Sequence, residues 1–268
     1  MTSSTPSASD LIRAVEKANS AQSLVDAVRD LADAQVEAGI PLLIEALGYN
    51  NPGAAVAAVD GLVALGDVVV PTLLEQIDGY NYGARAWAVR ALASIGHPNA
   101  LETLLHTLET DFSMSVRRAA ARGLGMLRWQ LLPAAEIEPA QSQALTTLLP
   151  ITNDPEWVVR YATVVGLQAL AIAIPPDHPD WHGKIYDCLS QMQLTDESLA
   201  VRTRVQHAQA TISQFIQDQS NQLNTSTSPD WQNILDQVYQ RKASERPLKE
   251  GDPRRFKSVA AVMASSTD

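Results

Sequence analysis

The sequence predicts an all-α protein, an α-solenoid of about five stacked helix pairs. Three observations carry this expectation. One block of sequence recurs in register, each copy places apolar residues at helical spacing, and no segment sustains the period-two alternation of a strand. Residues 51–67 (NPGAAVAAVDGLVALGD) lie over residues 81–97 (NYGARAWAVRALASIGH) without a gap, matching Asn51/Asn81, Gly53/Gly83, Ala54/Ala84, Ala58/Ala88, Val59/Val89, Leu62/Leu92 and Gly66/Gly96. Residues 114–128 follow with Leu124 on Leu92, residues 157–171 with Leu167, and residues 198–212 as a weaker copy. The spacings are 30, 32, 43 and 42 residues. One helix pair cannot bury its own apolar stripe, so such a sequence gains a core only by stacking.

Each unit repeats the same local signals. In the unit that starts at Asn81, Ala84, Ala88, Ala91, Leu92 and Ile95 form one stripe. Gly96 can end that helix, and Pro98 suits the first turn of the next. The following helix, residues 99–108, carries Leu101, Leu104, Leu105 and Leu108, and Pro41 and Pro71 open the second helices of the two preceding units. The longer spacings predict loop insertions at residues 128–139 and 174–183 (IPPDHPDWHG), on a face where repeat arrays often bind partners. Residues 1–9 are expected to be disordered, and residues 10–220 to form the solenoid. Residues 221–268 are expected to form a C-terminal helix and a basic, partly disordered arm.

Composition narrows the function. The 268 residues hold 20 Lys and Arg against 30 Asp and Glu, a net charge of −10, which argues against a nucleic-acid binder. Residues 241–258 hold seven basic and three acidic residues, so a +4 arm is attached to a body at −14. The single cysteine, Cys188, excludes an internal disulfide and multi-cysteine zinc sites, and fits a reducing compartment. The first ten residues lack the cationic and apolar regions of a secretion signal, and no apolar run reads as a membrane span. His178 and His182, with Asp177 and Asp180, have metal-ligand chemistry but sit in a Pro-rich segment without a regular helical face, so no metal site is expected.

A second periodicity pairs Asp111 with Arg117, Asp154 with Arg160 and Asp196 with Arg202, each six residues apart, with Asp78 and Arg85 one residue further. Each Asp falls in the turn before a helix and each Arg in its first turns. This reads first as a structural ladder of helix caps and ion pairs within the same unit or with an adjacent one, and second as a set of anion-binding arginines.

The blocks GYNNPG (48–53), DGYNYGARAWAVRALA (78–93), SMSVRRAAARGLGMLRW (113–129) and EWVVRYATVVGLQAL (156–170) resemble the HEAT-like repeats of phycobilisome lyases. In this order, over roughly residues 8–215, they are similar to the E subunit of the E/F-type phycocyanobilin lyases. The resemblance implies a cyanobacterial cytoplasmic protein that pairs with an F-type subunit. It also implies attachment of phycocyanobilin, as substrate and with no cofactor, to a cysteine of the phycocyanin α-subunit.

That substrate sets chemical requirements. An acceptor thiolate adds to the ethylidene carbon of ring A, and a proton must reach the tetrapyrrole. The protein must supply cations for two propionates, aromatic faces for the pyrroles and an acid or base nearby. Trp87 and Arg90 share a flank of the 82–95 helix, Tyr80 and Tyr82 stand at its start, and Arg117, Arg118 and Arg122 cluster on the next repeat. With Arg117 assigned to the ladder, Tyr80, Tyr82, Trp87, Arg90, Arg118 and Arg122 are the expected chromophore-binding residues. Asp60, in the register position of Arg90, and Asp78, before the tyrosine-rich turn, are the expected proton donors. Trp87 can equally fill a packing gap. A non-catalytic scaffold or pigment chaperone is the competing reading. Di-iron hydroxylases of similar repeat length require His-Glu pairs, and this sequence has none. An acidic body also disfavours a DNA glycosylase.

Overall fold

The computed structural model describes residues 6–77 and 81–225, together with Asp236 and Gln240. The chain divides into two compact units, Met1–Phe215 and Ile216–Asp268. Among the described residues all regular structure is helical: α1 (Ala8–Glu16), α2 (Ala21–Asp33), α3 (Ile40–Ala46), α4 (Pro52–Leu65), α5 (Val70–Glu75), α6 (Tyr82–Ile95), α7 (Leu101–Thr110), α8 (Met114–Gly125), α9 (Ala134–Ile151), α10 (Trp157–Ala173), α11 (Pro179–Thr195) and α12 (Leu199–Thr225). The pairs α2/α3, α4/α5, α6/α7, α8/α9 and α10/α11 are five stacked units; the sequence copies at residues 51, 81, 114 and 157 open the last four of them, and the weaker copy at residues 198–212 lies in α12. The C-terminal arm expected beyond the solenoid lies outside the described residues.

The first helices of the pairs form one layer, in which α2 packs on α4, α4 on α6, α6 on α8 and α8 on α10. The second helices form the other layer, with α7 on α9 and α9 on α11. The four leucines that set the sequence register, Leu62, Leu92, Leu124 and Leu167, are all fully buried between the layers. The recurring asparagines are helix caps: the Asn51 and Asn81 side chains accept from the Ala54 and Ala84 N–H groups at 3.2 and 3.0 Å. Gly96 ends α6 in the left-handed region at φ 69°, and a Cβ there would meet the Met126 carbonyl oxygen at 2.8 Å.

Small residues set how closely the first layer packs. A Cβ on Gly123 would fall 2.5 Å from that of Ala93. At the next crossing backbone meets backbone, because a Cβ on Gly125 would lie 1.9 Å from the Gly166 carbonyl oxygen, and one on Gly166 would lie 2.2 Å from that of Ala121.

The expectation of loop insertions is corrected in part. The extra residues of the longer repeats go mostly into helices: α9 has 18 residues and α10 and α11 have 17 each, against 14 in α6 and 10 in α7. Residues 126–133 stay outside the α-helices, with a 3₁₀ turn at Trp129–Leu131. Pro179 begins α11, and Pro139 lies inside α9, where both it and Ala135 are exposed, so water can satisfy the carbonyl that a proline leaves unpaired. The stretch Pro52–Glu75 does have the length and apolarity of a membrane span, at mean hydropathy 1.9. It comprises α4 and α5, is interrupted by a 3₁₀ turn at Gly66–Val69, and is half buried between neighbouring repeats.

Candidate functional site

The aspartate–arginine periodicity forms a ladder. Arg85 donates to Asp111 at 2.6 Å, Arg117 to Asp154 through two nitrogens at 2.8 and 3.1 Å, and Arg160 to Asp196 at 2.7 and 3.0 Å. Each arginine reaches the aspartate of the following unit. Arg117 and Arg160 also donate to the carbonyls of their own units' aspartates, Asp111 and Asp154, at 3.1 and 2.9 Å. The same aspartates accept from the N–H groups of Ser113, Glu156 and Ser198, each at 2.8 Å, where they precede α8, α10 and α12. The charge-assisted hydrogen bonds that Arg117 and Arg160 donate to Asp154 and Asp196 raise the pKa of both arginines above the ordinary value. Burial works against ionisation of Asp196, but the hydrogen bonds from Arg160 and the Ser198 N–H outweigh it and hold its pKa below the usual value.

Apart from those ladder arginines, three others, Arg90, Arg118 and Arg122, are exposed on the first-layer helices α6 and α8. Along α8 one stripe faces solvent, Ser115, Arg118, Arg122 and Met126. Arg118 has no hydrogen bond or ion pair among the described residues. Arg122 only donates to the Met126 sulfur, at 3.4 Å. On α6 the exposed Arg90 lies 5.3 Å from the ring centroid of the half-buried Trp87. Trp87 also packs against the core, so it is both a packing residue and the platform for this cation. Tyr82 is 60% exposed at the start of α6 and meets the Phe112 ring edge-on at 6.4 Å.

Asp60 is exposed on α4 and lines a cavity of about 300 Å³ with Arg29, Asp33, Val56, Ala57 and Ala64. By repeat register Asp60, Arg90 and Arg122 form one row across three directly packed helices, a step of roughly 8–10 Å per helix. The face therefore changes sign along the array, from Asp26, Asp30, Asp33 and Asp60 on α2 and α4 to Arg90, Arg118 and Arg122 on α6 and α8. Asp78 and Tyr80 lie outside the described residues.

Other groups offer less chemistry. Tyr49 donates to Glu45 at 3.2 Å, and burial together with that carboxylate pushes its pKa up to about 12, so it stays protonated. Burial pushes the Cys188 thiol upward against a hydrogen bond to Thr152, which makes it a poor nucleophile at neutral pH. Among the described residues no three His, Cys, Asp or Glu side chains cluster in a metal-holding group.

Several exposed apolar side chains escaped the sequence reading: Phe112 at 79% exposure, Met114 at 47%, Trp157 at 48%, Tyr161 at 39% and Leu199 at 68%. Within an apolar repeat they read as core. Their signal was position, since Tyr82, Met114, Trp157 and Leu199 each stand three residues before Arg85, Arg117, Arg160 and Arg202.

A family model described as HEAT repeats matches residues 70–170. The phycocyanobilin lyase subunit beta of Pseudanabaena tenuis (strain PCC 7409) is 50% identical over 277 residues, which cover 97% of this chain and 98% of that one. The phycocyanin alpha phycocyanobilin lyase CpcF of Synechocystis sp. (strain PCC 6803) is 56% identical over 167 residues, 62% of this chain and 78% of that one. A solved structure, the complex of CpcE and CpcF of phycocyanin lyase from Nostoc sp. PCC7120, includes a chain 50% identical to this one. The match has a TM-score of 0.60 and covers 64% of this chain and 98% of that chain.

Proposed function

From the premise that the chain belongs to the family of phycocyanobilin lyase subunits, we propose that it is one half of a two-subunit lyase joining phycocyanobilin to a cysteine of the phycocyanin α-subunit. The carrying observation is the division of labour among its arginines: Arg117 and Arg160 are held by the ladder, while Arg118 and Arg122 face solvent on one stripe without a carboxylate partner among the described residues. On a chain of net charge −10, two such guanidiniums one helical turn apart suit the propionates of a bilin.

In the reaction the acceptor thiolate adds to the ethylidene carbon of ring A. The carbon–sulfur bond forms as the double-bond electrons move into the conjugated tetrapyrrole, and a proton is delivered there. Arg118 and Arg122 hold the propionates, Trp87 with Arg90 and Tyr82 border the pyrroles, and the lyase acts mainly by fixing which face meets which cysteine. Tyr80 and Asp78, which the sequence also offers for these roles, lie outside the described residues. Asp60 is the proton donor in this reading. The chemistry calls for neither metal nor nucleotide.

The position of the chain within the pair is finer than the family. The E-type assignment expected from the sequence gives an F-type partner. The relatives whose names specify a subunit are called subunit beta or CpcF, which supports the F position and an E-type partner. Either way the assembly is a pair of the CpcE–CpcF kind, working in the cyanobacterial cytoplasm where bilin and apoprotein meet. Co-expression with each type separately decides the position, since only the correct partner co-purifies.

The pigment site is tested by Arg118→Ala and Arg122→Ala. Each removes one charge-assisted bond, worth about 1.5–3 kcal/mol, so chromophore transfer should fall about 10- to 100-fold while the helical circular dichroism is unchanged. Transfer at the wild-type rate by the double variant refutes the assignment. Asp60→Asn should lower the rate of transfer; an unaltered rate assigns the proton to water or to the acceptor.

A further inference from the structure

Tyr82, Met114, Trp157 and Leu199 are the first residues of α6, α8, α10 and α12, and their exposures run from 47% to 68%. Phe112, 79% exposed and two residues before Met114, meets the Tyr82 ring edge-on at 6.4 Å. This apolar row recurs once per repeat and stands directly beside the buried ladder. We propose that the row is the docking surface for the second lyase subunit. The proposal rests on the two-subunit reading above and assigns that reading its interface.

Length and area favour a protein partner. Four helices of one layer at roughly 8–10 Å spacing give a row about 30 Å long, far more than one tetrapyrrole covers but matched to a neighbouring helical-repeat chain. Aromatic side chains bury about 150–250 Å² each, so five large side chains at these exposures offer on the order of 500 Å² of apolar surface. That is more than half of the roughly 800 Å² that each partner contributes to a standard stable interface. Single exposed apolar residues are ordinary, whereas exposed apolar residues repeated at four successive first-layer helix starts mark an interaction site.

Charge completes the description of the partner. Glu156 and Glu197 are exposed in the turns that carry Trp157 and Leu199, and the neighbouring Arg117 and Arg160 are already paired with Asp154 and Asp196. The complementary surface is therefore apolar with flanking lysine or arginine, and association should slow with added salt.

The test uses the full chain co-expressed with its partner subunit, comparing wild type with the double variant Trp157→Glu/Leu199→Glu by size exclusion with light scattering. The variant should retain the helical signal and melting temperature of wild type, because both side chains are exposed. Its affinity for the partner should fall at least 100-fold, while phycocyanobilin bound by the free chain, followed by absorbance titration, is unchanged. Val68→Glu, on an exposed apolar residue outside the row, should leave the pair intact. Pairing of the double variant at wild-type affinity overturns the proposal. So does loss of pigment binding with the pair intact, which makes the row a pigment platform, or a wild-type homodimer dispersed by the same substitutions. A wild-type pair that forms but transfers no bilin sinks the lyase reading and leaves the interface standing.

Discussion

Gly166→Val should disrupt the array between its fourth and fifth repeats. A side chain at Gly166 would meet the Ala121 carbonyl oxygen at 2.2 Å, and the facing Gly125 has the Gly166 carbonyl at 1.9 Å, so the obstacle is backbone on both sides. Overpacking against side chains costs about 1–3 kcal/mol because they can move aside. Here α8 and α10 must separate, opening contacts around the fully buried Leu124, Leu148 and Leu167, so the cost should reach or exceed the top of that range. At about 2–4 °C per kcal/mol for a chain of this size, melting should fall by roughly 10 °C or more. Gly183→Ala is the control, since no atom lies within 4 Å of a Cβ there. A Gly166→Val protein that melts with wild type would show that the crossing is looser than described.

Arg160→Ala should be comparably damaging for an electrostatic reason. The Arg160 and Asp196 side chains are only 14% and 4% exposed, so removing the arginine strands a carboxylate with little water to replace it. Breaking one partner of such a pair costs about 3–5 kcal/mol, whereas Arg160→Met/Asp196→Leu, which removes both charges, should recover much of the loss. Asp196 titrates below its ordinary value in the folded chain. Its contribution is therefore fully present above the unfolded value of 3.8 and is lost as pH falls through the depressed folded value. The stability gap between wild type and Arg160→Ala, measured by urea unfolding, should be widest near neutral pH and shrink in acid, because the stranded Asp196 of the variant takes up a proton before the paired one does. A gap that widens in acid would contradict the ladder.

Much of the fold was legible because a repeat states its rules several times. Leu62, Leu92, Leu124 and Leu167 gave the register and the buried seam, while Asn51 and Asn81 gave the caps. Asp111, Asp154 and Asp196 with their arginines gave the ladder, although the sequence did not say that each arginine reaches the aspartate one unit ahead. Helix length was illegible at Pro139 and Pro179, because a proline near a helix start is compatible with either a loop or a helix. The site was legible as chemistry rather than as surface. Arg118 and Arg122 follow from subtracting the ladder from a basic cluster. Trp157, Phe112 and Leu199 remained hidden because an apolar residue in a repeat is core unless the stacking leaves it outside.

The most direct measurement is reconstitution of bilin transfer. This chain, its partner subunit, apo-phycocyanin α and phycocyanobilin are combined, and pigment that survives denaturing electrophoresis is read by fluorescence. The account predicts a covalent fluorescent α band that requires both lyase chains and fades with Arg118→Ala/Arg122→Ala. Equal labelling without this chain, or pigment that stays with the pair and never becomes covalent on phycocyanin, would contradict it.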